Sequence, residues 1–140
     1  MLLEPRLKCF FVDSDADALA IAGQNKLFLE GLHSHLKAVF LKMDVQDFSE
    51  NVDVVVQNPP FGTKQEHADK KFLEKAFSLA QIIYTMHKYS TKGFVETISK
   101  DFGFKITHLW RFEFPIKELY VFHTKPVRNI DVGLWRMEKV

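Results

Sequence analysis

The sequence predicts an α/β fold whose sheet is mostly parallel and ends in an antiparallel hairpin. Short apolar runs alternate with longer segments of helical periodicity, which is the pattern of strand-helix-strand units. The run Val52–Gln57 is β-branched and apolar, and this is typical of a strand buried on both faces inside a parallel sheet. A short connection joins the last two predicted strands, which favours antiparallel pairing between them.

The first part of the chain is predicted to form three strands and one helix, in the order strand 7–12, helix 16–31, strand 38–43 and strand 52–57. Asp15 can cap the helix at its start, and Gly31 can end it. The helix should bury a broad apolar face made of Ala18, Leu19, Ile21, Ala22, Leu27 and Leu29.

The second part is predicted to contain two helices and three strands, in the order helix 70–79, strand 82–87, helix 91–102, strand 104–114 and strand 127–137. Asp69 can cap the first of these helices and Gly103 can end the second, while Pro115 should end strand 104–114. Residues 119–123 could add a short extension. Most of the aromatic side chains in this part are predicted to be core, with one or two free to stack on a planar ligand: Trp110, Phe112, Phe114, Tyr120, Phe122 and Trp135.

Three successive strands each end in a polar residue, namely Asp13, Asp44 and Asn58. The carboxyl ends of parallel strands meet at one edge of the sheet, where ligands bind in open α/β folds. A carboxylate there can accept both hydroxyls of a ribose, which suits Asp13, and Asp44 could accept from an adenine amine. Each acid could instead serve only as a turn or cap residue.

The motif Asn58-Pro59-Pro60-Phe61 directly follows the valine-rich strand. The prolines cannot continue a ladder, so the strand ends at Asn58. The side-chain carbonyl of Asn58 and the backbone carbonyl of Pro59 form a rigid acceptor pair for a planar NH₂ group, and Phe61 can stack on a base. Accepting both amine protons would localise the nitrogen lone pair and activate it by positioning and electrostatics. The alternative is a proline turn with a buried Asn bonded to its own backbone.

Asn58-Pro59-Pro60-Phe61-Gly62-Thr63 resembles the catalytic motif of S-adenosylmethionine-dependent N6-adenine methyltransferases. The chain as a whole is similar to the archaeal and eukaryotic ribosomal-RNA adenine methyltransferases, the methyltransferase-like protein 5 group. The similarity extends from residues 11–15 to residues 132–136, and segment 67–77 is similar to the archaeal branch.

This resemblance implies a class I, Rossmann-like methyltransferase fold and S-adenosyl-L-methionine as the cofactor. It implies catalysis by Asn58, Pro59, Pro60 and Phe61, and cofactor binding by Asp13, Asp44 and Asn58. The polar loop after the motif would lie over the target base, with contacts from Phe61, Gly62, Thr63, Lys64 and His67. The implied partners are RNA, ribosomal RNA in particular, and a small activator subunit on the sheet edge near residues 38–43.

The chain departs from this family at its beginning, where the family's second strand would begin. None of its glycines are close enough together to form the Gly-rich loop that holds the cofactor in the family. We therefore expect residues 1–140 to be a single, truncated methyltransferase domain with a gap between the strands that end at Asp13 and Asn58. A fragment, a mis-started reading frame or a segment supplied by a separate chain would each explain this. The chain alone should bind the cofactor weakly or not at all.

The composition excludes some classes of protein and of binding site. No apolar run reaches membrane-spanning length and no signal peptide is visible, so a cytoplasmic protein without a membrane partner is expected. Cys9 is the single cysteine, which excludes a disulfide framework, and no metal site is predicted. Residues 88–140 carry ten Lys or Arg against six Asp or Glu, an excess that suits a phosphate backbone but also an ordinary solvated surface.

Other functions stay open at this point. A protein-glutamine methyltransferase uses a related motif, usually with Tyr in place of Phe61. A DNA adenine methyltransferase usually carries a separate recognition domain, which this chain does not show. A non-catalytic RNA-binding remnant is the alternative outside the methyltransferases, and cofactor binding would distinguish it from the others.

Overall fold

A computed structural model describes residues 7–30, 37–60, 68–116 and 128–140 of the chain. The chain divides into two compact units, Met1–Ser49 and Glu50–Val140, which are considered separately below. The single domain over residues 1–140 therefore stays a prediction.

The described residues of the first unit form two strands, a helix and a 3₁₀ turn: β1 (Lys8–Asp13), α1 (Ala16–Glu30), β2 (Lys37–Lys42) and the turn Val45–Asp47. Strands β1 and β2 pair in parallel, from Lys8 opposite Lys37 to Asp13 opposite Lys42. The predicted boundaries of these elements are correct to within one residue. The predicted cap is also confirmed, because the side chain of Asp15 accepts a 2.8 Å hydrogen bond from the Asp17 N–H.

Helix α1 contacts both β1 and β2, yet the apolar face predicted for it is only partly correct. Leu19, Ala22 and Leu29 are half-buried, whereas Ile21 and Leu27 are exposed. Apolar residues lie on every side of this helix, so their spacing does not single out the side that packs on the strands.

Within residues 50–60, 68–116 and 128–140, the second unit forms four strands, two helices and a 3₁₀ turn: β3 (Val54–Gln57), α2 (Ala68–Leu79), β4 (Ile82–Lys88), the turn Tyr89–Thr91, α3 (Lys92–Asp101), β5 (Phe104–Ile116) and β6 (Arg128–Lys139). The strand order is β3-β4-β6-β5. Strands β3 and β4 are parallel, and β6 runs antiparallel to both β4 and β5. The predicted C-terminal antiparallel hairpin is therefore confirmed.

Helices α2 and α3 pack on one face of this four-stranded sheet. The register places Ile83, Met137 and Trp135 on that face. They join side chains from both helices in one buried cluster: Leu73, Ala76, Phe77, Ala80, Ile83, Val95, Ile98, Phe104, Trp135 and Met137. The core of the second unit therefore lies between its helices and one face of its sheet.

The prediction that strand 52–57 is buried on both faces is wrong. Val55 packs against the core cluster, but Val54 and Val56 are 38% and 57% exposed. Alternate residues of a strand point to opposite faces, and the two helices of this unit cover only one of them. A valine run shows that a strand is apolar; it does not show that the unit supplies a layer on each side.

A β-bulge in β5 reverses the side-chain alternation that the sequence indicated. Ile106 pairs with Met137 and His108 pairs with Arg136, so Thr107 is an extra residue between them. After the bulge Leu109 lies opposite the buried Trp135, while Trp110 pairs with Leu134 on the other face. Of the predicted core aromatics, Trp135 is confirmed as fully buried, but Trp110 and Phe114 are 44% and 53% exposed, and Phe112 is also exposed. Tyr120 and Phe122 lie outside the described residues.

Two predictions about the residues that end a helix and a strand have opposite outcomes. Gly103 has a φ of 75°, which a glycine adopts without strain, and it follows α3 as predicted. Pro115 does not end β5, because the strand continues to Ile116 and Pro115 pairs with Asn129. Strand β5 is at the edge of its sheet, where the lack of an N–H group on proline is tolerated. The predicted extension at 119–123 lies outside the described residues.

The two units carry separate sheets within the part of the chain that the structure describes. Strands β1 and β2 form one, and β3 is an edge strand of the other, so no ladder joins β1 to β3.

Candidate active site

The motif Asn58-Pro59-Pro60 lies at the carboxyl end of β3, as the sequence predicts. Val54–Gln57 pairs in parallel with Ile82–Thr85 of β4, and the ladder stops before Asn58. Pro59 is buried, whereas Asn58 and Pro60 are exposed. The buried proline fixes the backbone on the C-terminal side of Asn58, which leaves the Asn58 amide at the surface on a rigid support.

Asp13 is the last residue of β1, and Asp44 lies two residues after the end of the neighbouring strand β2. The two strand ends are joined by a 3.1 Å hydrogen bond from the Met43 N–H to the Asp13 carbonyl. Both carboxylates are exposed, and each accepts a hydrogen bond from a backbone N–H of the turn that follows it. The Asp15 N–H donates to Asp13 Oδ1, and the Gln46 N–H donates to Asp44 Oδ1, each at 2.9 Å. A carboxylate has roughly four acceptor positions, so these local bonds leave capacity for a ligand.

The structure does not place every predicted site residue. Phe61, Gly62, Thr63, Lys64 and His67 lie outside the described residues. Asp13 and Asp44 belong to the first unit and Asn58 to the second, so their meeting in one crevice stays a prediction.

The structure also contains a polar cluster next to the carboxyl end of β3 that our sequence prediction did not include. Its members are Gln57, Thr85, His87 and Asp69. The Thr85 hydroxyl is 2.7 Å from Nε2 of His87 and accepts a 3.2 Å hydrogen bond from Nε2 of Gln57. On the other side of the imidazole, Nδ1 of His87 lies 3.6 Å from Oδ2 of Asp69. This is an electrostatic contact longer than an ordinary hydrogen bond.

Burial keeps His87 uncharged. The residue is 2% exposed, and burial lowers the pKa of its imidazole from 6.5 to about 4. The Asp69 carboxylate acts in the opposite direction but does not outweigh the loss of hydration. His87 is therefore a neutral imidazole near pH 7, with one nitrogen able to donate and the other able to accept.

No group of three or more His, Cys, Asp or Glu side chains within residues 7–30, 37–60, 68–116 and 128–140 could hold a metal ion. None of the helices in these ranges is long and apolar enough to cross a membrane.

Comparison with known proteins identifies relatives along most of the chain, although no family model matches it. The uncharacterized protein MJ0284 of Methanocaldococcus jannaschii is 39% identical over an alignment of 141 positions, which covers 92% of this chain and 62% of that protein. The rRNA N(6)-adenosine-methyltransferase Mettl5 of Drosophila melanogaster is 31% identical over 105 residues, which are 74% of this chain and 49% of that protein.

The chain is similar to the METTL5 rRNA N(6)-adenosine-methyltransferases of Drosophila melanogaster and Danio rerio, at 31% and 29% identity. The crystal structure of PH1948 from Pyrococcus horikoshii, a candidate RNA methyltransferase, superposes with a TM-score of 0.81 at 32% identity. The match covers 95% of this chain and 64% of that one, and it confirms the Rossmann-like methyltransferase fold. The chain thus spans between 49% and 64% of the length of these proteins.

Part of the signal for the polar cluster was present in the sequence. Ile83, Thr85 and His87 alternate along β4 and so share one face of the sheet. The sequence does not say that this is the face covered by helices, nor that Asp69 is near it. Asp69 was predicted to cap α2, but that is wrong: it lies inside the first turn of the helix, with its carboxylate near His87.

Proposed function

We propose that this chain carries the catalytic motif of an S-adenosylmethionine-dependent methyltransferase that acts on the N6 amine of adenine in RNA, ribosomal RNA in particular. The observation that carries the proposal is the position of Asn58-Pro59-Pro60 at the carboxyl end of the parallel strand β3. The name of the Drosophila homologue supports the substrate class, since that protein is an rRNA N(6)-adenosine-methyltransferase.

The proposed chemistry requires two acceptors and no strong base. The Asn58 side-chain carbonyl and the Pro59 backbone carbonyl accept hydrogen bonds from the two N–H groups of the adenine amine. These bonds direct the nitrogen lone pair toward the methyl donor. The burial of Pro59 supports this role, because the second acceptor is then held in place before the substrate arrives. Phe61 supplies the stacking surface, and Gly62, Thr63, Lys64 and His67 contact the target nucleotide.

S-adenosylmethionine supplies the methyl group when it is bound. Asp13 would accept hydrogen bonds from its ribose hydroxyls and Asp44 from its adenine amine. Their positions at the carboxyl ends of neighbouring parallel strands support a shared role, and their exposure leaves the carboxylates accessible. The hydrogen bonds that each already accepts from its own turn hold the carboxylates in place.

An activator subunit is proposed to bind along β2. Among the described residues this strand pairs only with β1, so its second edge offers backbone donors and acceptors to another chain. The apolar side chains Val39, Phe40 and Leu41 are half-buried there. Addition of a strand to such an edge is a common mode of protein association.

The decisive experiment measures methyl transfer from labelled S-adenosylmethionine to an adenine-containing RNA in a single turnover. It uses the chain with a strand and a Gly-rich loop restored before residue 1. Asn58→Ala should reduce the rate by about 10²–10³-fold, the loss typical of removing one preorganised hydrogen-bonding group. Asn51→Ala is the matched control, because Asn51 is also exposed but precedes β3.

Turnover by Asn58→Ala at the unchanged rate would refute the catalytic assignment. Titration calorimetry on the 140-residue chain, with and without the restored segment, tests cofactor binding. Micromolar binding by the short chain, lost in Asp13→Ala, would show that the Gly-rich segment is not required. RNA binding without cofactor binding in both forms would identify a non-catalytic remnant.

A further inference from the structure

A continuous series of polar contacts connects the first turn of α2 to the residue that precedes Asn58. It begins at Asp69 in α2, passes through His87 and Thr85 of β4, and ends at Gln57 of β3. Thr85 and His87 are buried on the helix-covered face of the sheet, at 0% and 2% exposure. Thr85 and Gln57 are also register partners in the parallel pair of β3 and β4.

The chemistry of the four groups determines which atom donates and which accepts in each contact of this series. A carboxylate only accepts, so the hydrogen of the neutral imidazole is placed on Nδ1, toward Asp69. Nε2 of His87 is then an acceptor, and the Thr85 hydroxyl donates its only proton to it. Oγ1 of Thr85 can then only accept, so Gln57 presents its NH₂ group and not its carbonyl. Each assignment follows from the previous one, which fixes the amide orientation of Gln57.

Burial restricts alternatives to this arrangement. Nε2 of His87 would be an unpaired acceptor without the Thr85 hydroxyl, and such groups are rare in protein interiors. The indole of Trp135 contacts the imidazole edge-on, with ring centroids 5.8 Å apart at 71°. The imidazole is therefore held between Trp135 and its two polar neighbours.

We infer that His87 is a positioning residue for Asn58. Its contacts with Asp69 and Thr85 fix the Gln57 side chain at the end of β3, and Gln57 directly precedes Asn58 in the chain. This inference rests on the proposed catalytic role of Asn58. Segment 61–67, which the sequence predicts to lie over the target base, joins the motif to α2. His87 thus contacts Asp69, which follows that segment in the chain, and Thr85, which bonds Gln57 of the strand that precedes it.

Nuclear magnetic resonance on the ¹⁵N-labelled 140-residue chain tests the inference without any methyl transfer. The imidazole nitrogens of His87 report the tautomer directly, because protonated and unprotonated nitrogens resonate far apart. The expected result in the unmodified chain is a neutral ring with its hydrogen on Nδ1. A ring with its hydrogen on Nε2 would overturn the inference before any variant is made.

Two pairs of variants then test the connection to Asn58. Thr85→Val removes the hydroxyl and should shift the side-chain NH₂ resonances of Gln57 and Asn58, whereas Thr85→Ser keeps the hydroxyl and should leave them near their original positions. Asp69→Asn should change the His87 tautomer populations and shift the same amide resonances. Thr97→Val is the matched control, because its hydroxyl bonds only the Gly93 carbonyl within the exposed part of α3.

Unchanged Gln57 and Asn58 resonances in Thr85→Val, or equal shifts in Thr85→Val and Thr85→Ser, would show that His87 only fills space. These outcomes are independent of the catalytic test. If the resonances respond as expected but Asn58→Ala retains full turnover, the network stands and the proposed function fails.

Discussion

Acid should destabilise the second unit through His87, and the sign follows from its pKa. Burial lowers the pKa of His87 from 6.5 to about 4 in the folded chain. Between these pH values the unfolded chain binds a proton at this residue and the folded chain does not. Lowering the pH therefore favours unfolding. His87 contributes no pH dependence well above 6.5, and the loss is complete once the pH falls below about 4.

The expected loss is about 3 kcal/mol, because each pKa unit between 6.5 and about 4 corresponds to about 1.4 kcal/mol. Protonation of other groups also lowers the stability of the fold in acid. Hydrogen bonds from Arg111 and Arg136 lower the pKa of Asp131 and of Glu138, and both carboxylates lose these bonds when they are protonated. A variant without the imidazole is therefore needed to isolate the His87 contribution.

The assay is urea unfolding of the unmodified chain and of His87→Gln at several pH values between about 7 and 4, followed by circular dichroism. As the pH falls over this range, the unmodified chain should lose about 3 kcal/mol of unfolding free energy relative to His87→Gln. Any constant difference from lost packing does not affect this comparison. A difference that stays the same across the range would refute the buried, neutral assignment of His87.

Two further predictions concern packing and use the same unfolding assay. Gly133→Ala should lower the free energy of unfolding by at least 1–3 kcal/mol, because a Cβ there would overlap the buried indole of Trp135. Gly93→Ala is the control and should change this free energy by under about 1 kcal/mol, because a Cβ there meets nothing within 4 Å. Equal losses in the two variants would contradict this packing. Leu109→Ala should cost about 2 kcal/mol and Trp110→Ala under about 1 kcal/mol, because the bulge turns Leu109 toward Trp135 and leaves Trp110 partly exposed. A larger cost for Trp110 would show that the face assignment is wrong.

Several features of this chain depend on local physical chemistry, and the sequence predicts them correctly. Asp15 caps α1 because its side chain reaches an N–H group two residues away. Gly103 follows α3 because it adopts a positive φ without strain. The ladder of β3 stops before Asn58 because the prolines have no N–H to donate. The position of the candidate catalytic motif at a strand end follows from the same rule.

The tertiary structure alone decided which face of each element is covered. The valines of β3 are equally apolar, yet Val55 is packed and Val56 is exposed, because α2 and α3 lie on one side of the sheet. One extra residue at Thr107 moved Trp110 to the opposite face, and the alternation along the sequence gave no sign of it. Asp69 was predicted as a cap because its position near the helix start is visible in the sequence; its approach to His87 is not. Caps and strand ends depend on residues a few positions apart, whereas burial and the His87 contacts depend on residues brought together only when the sheet and its helices pack.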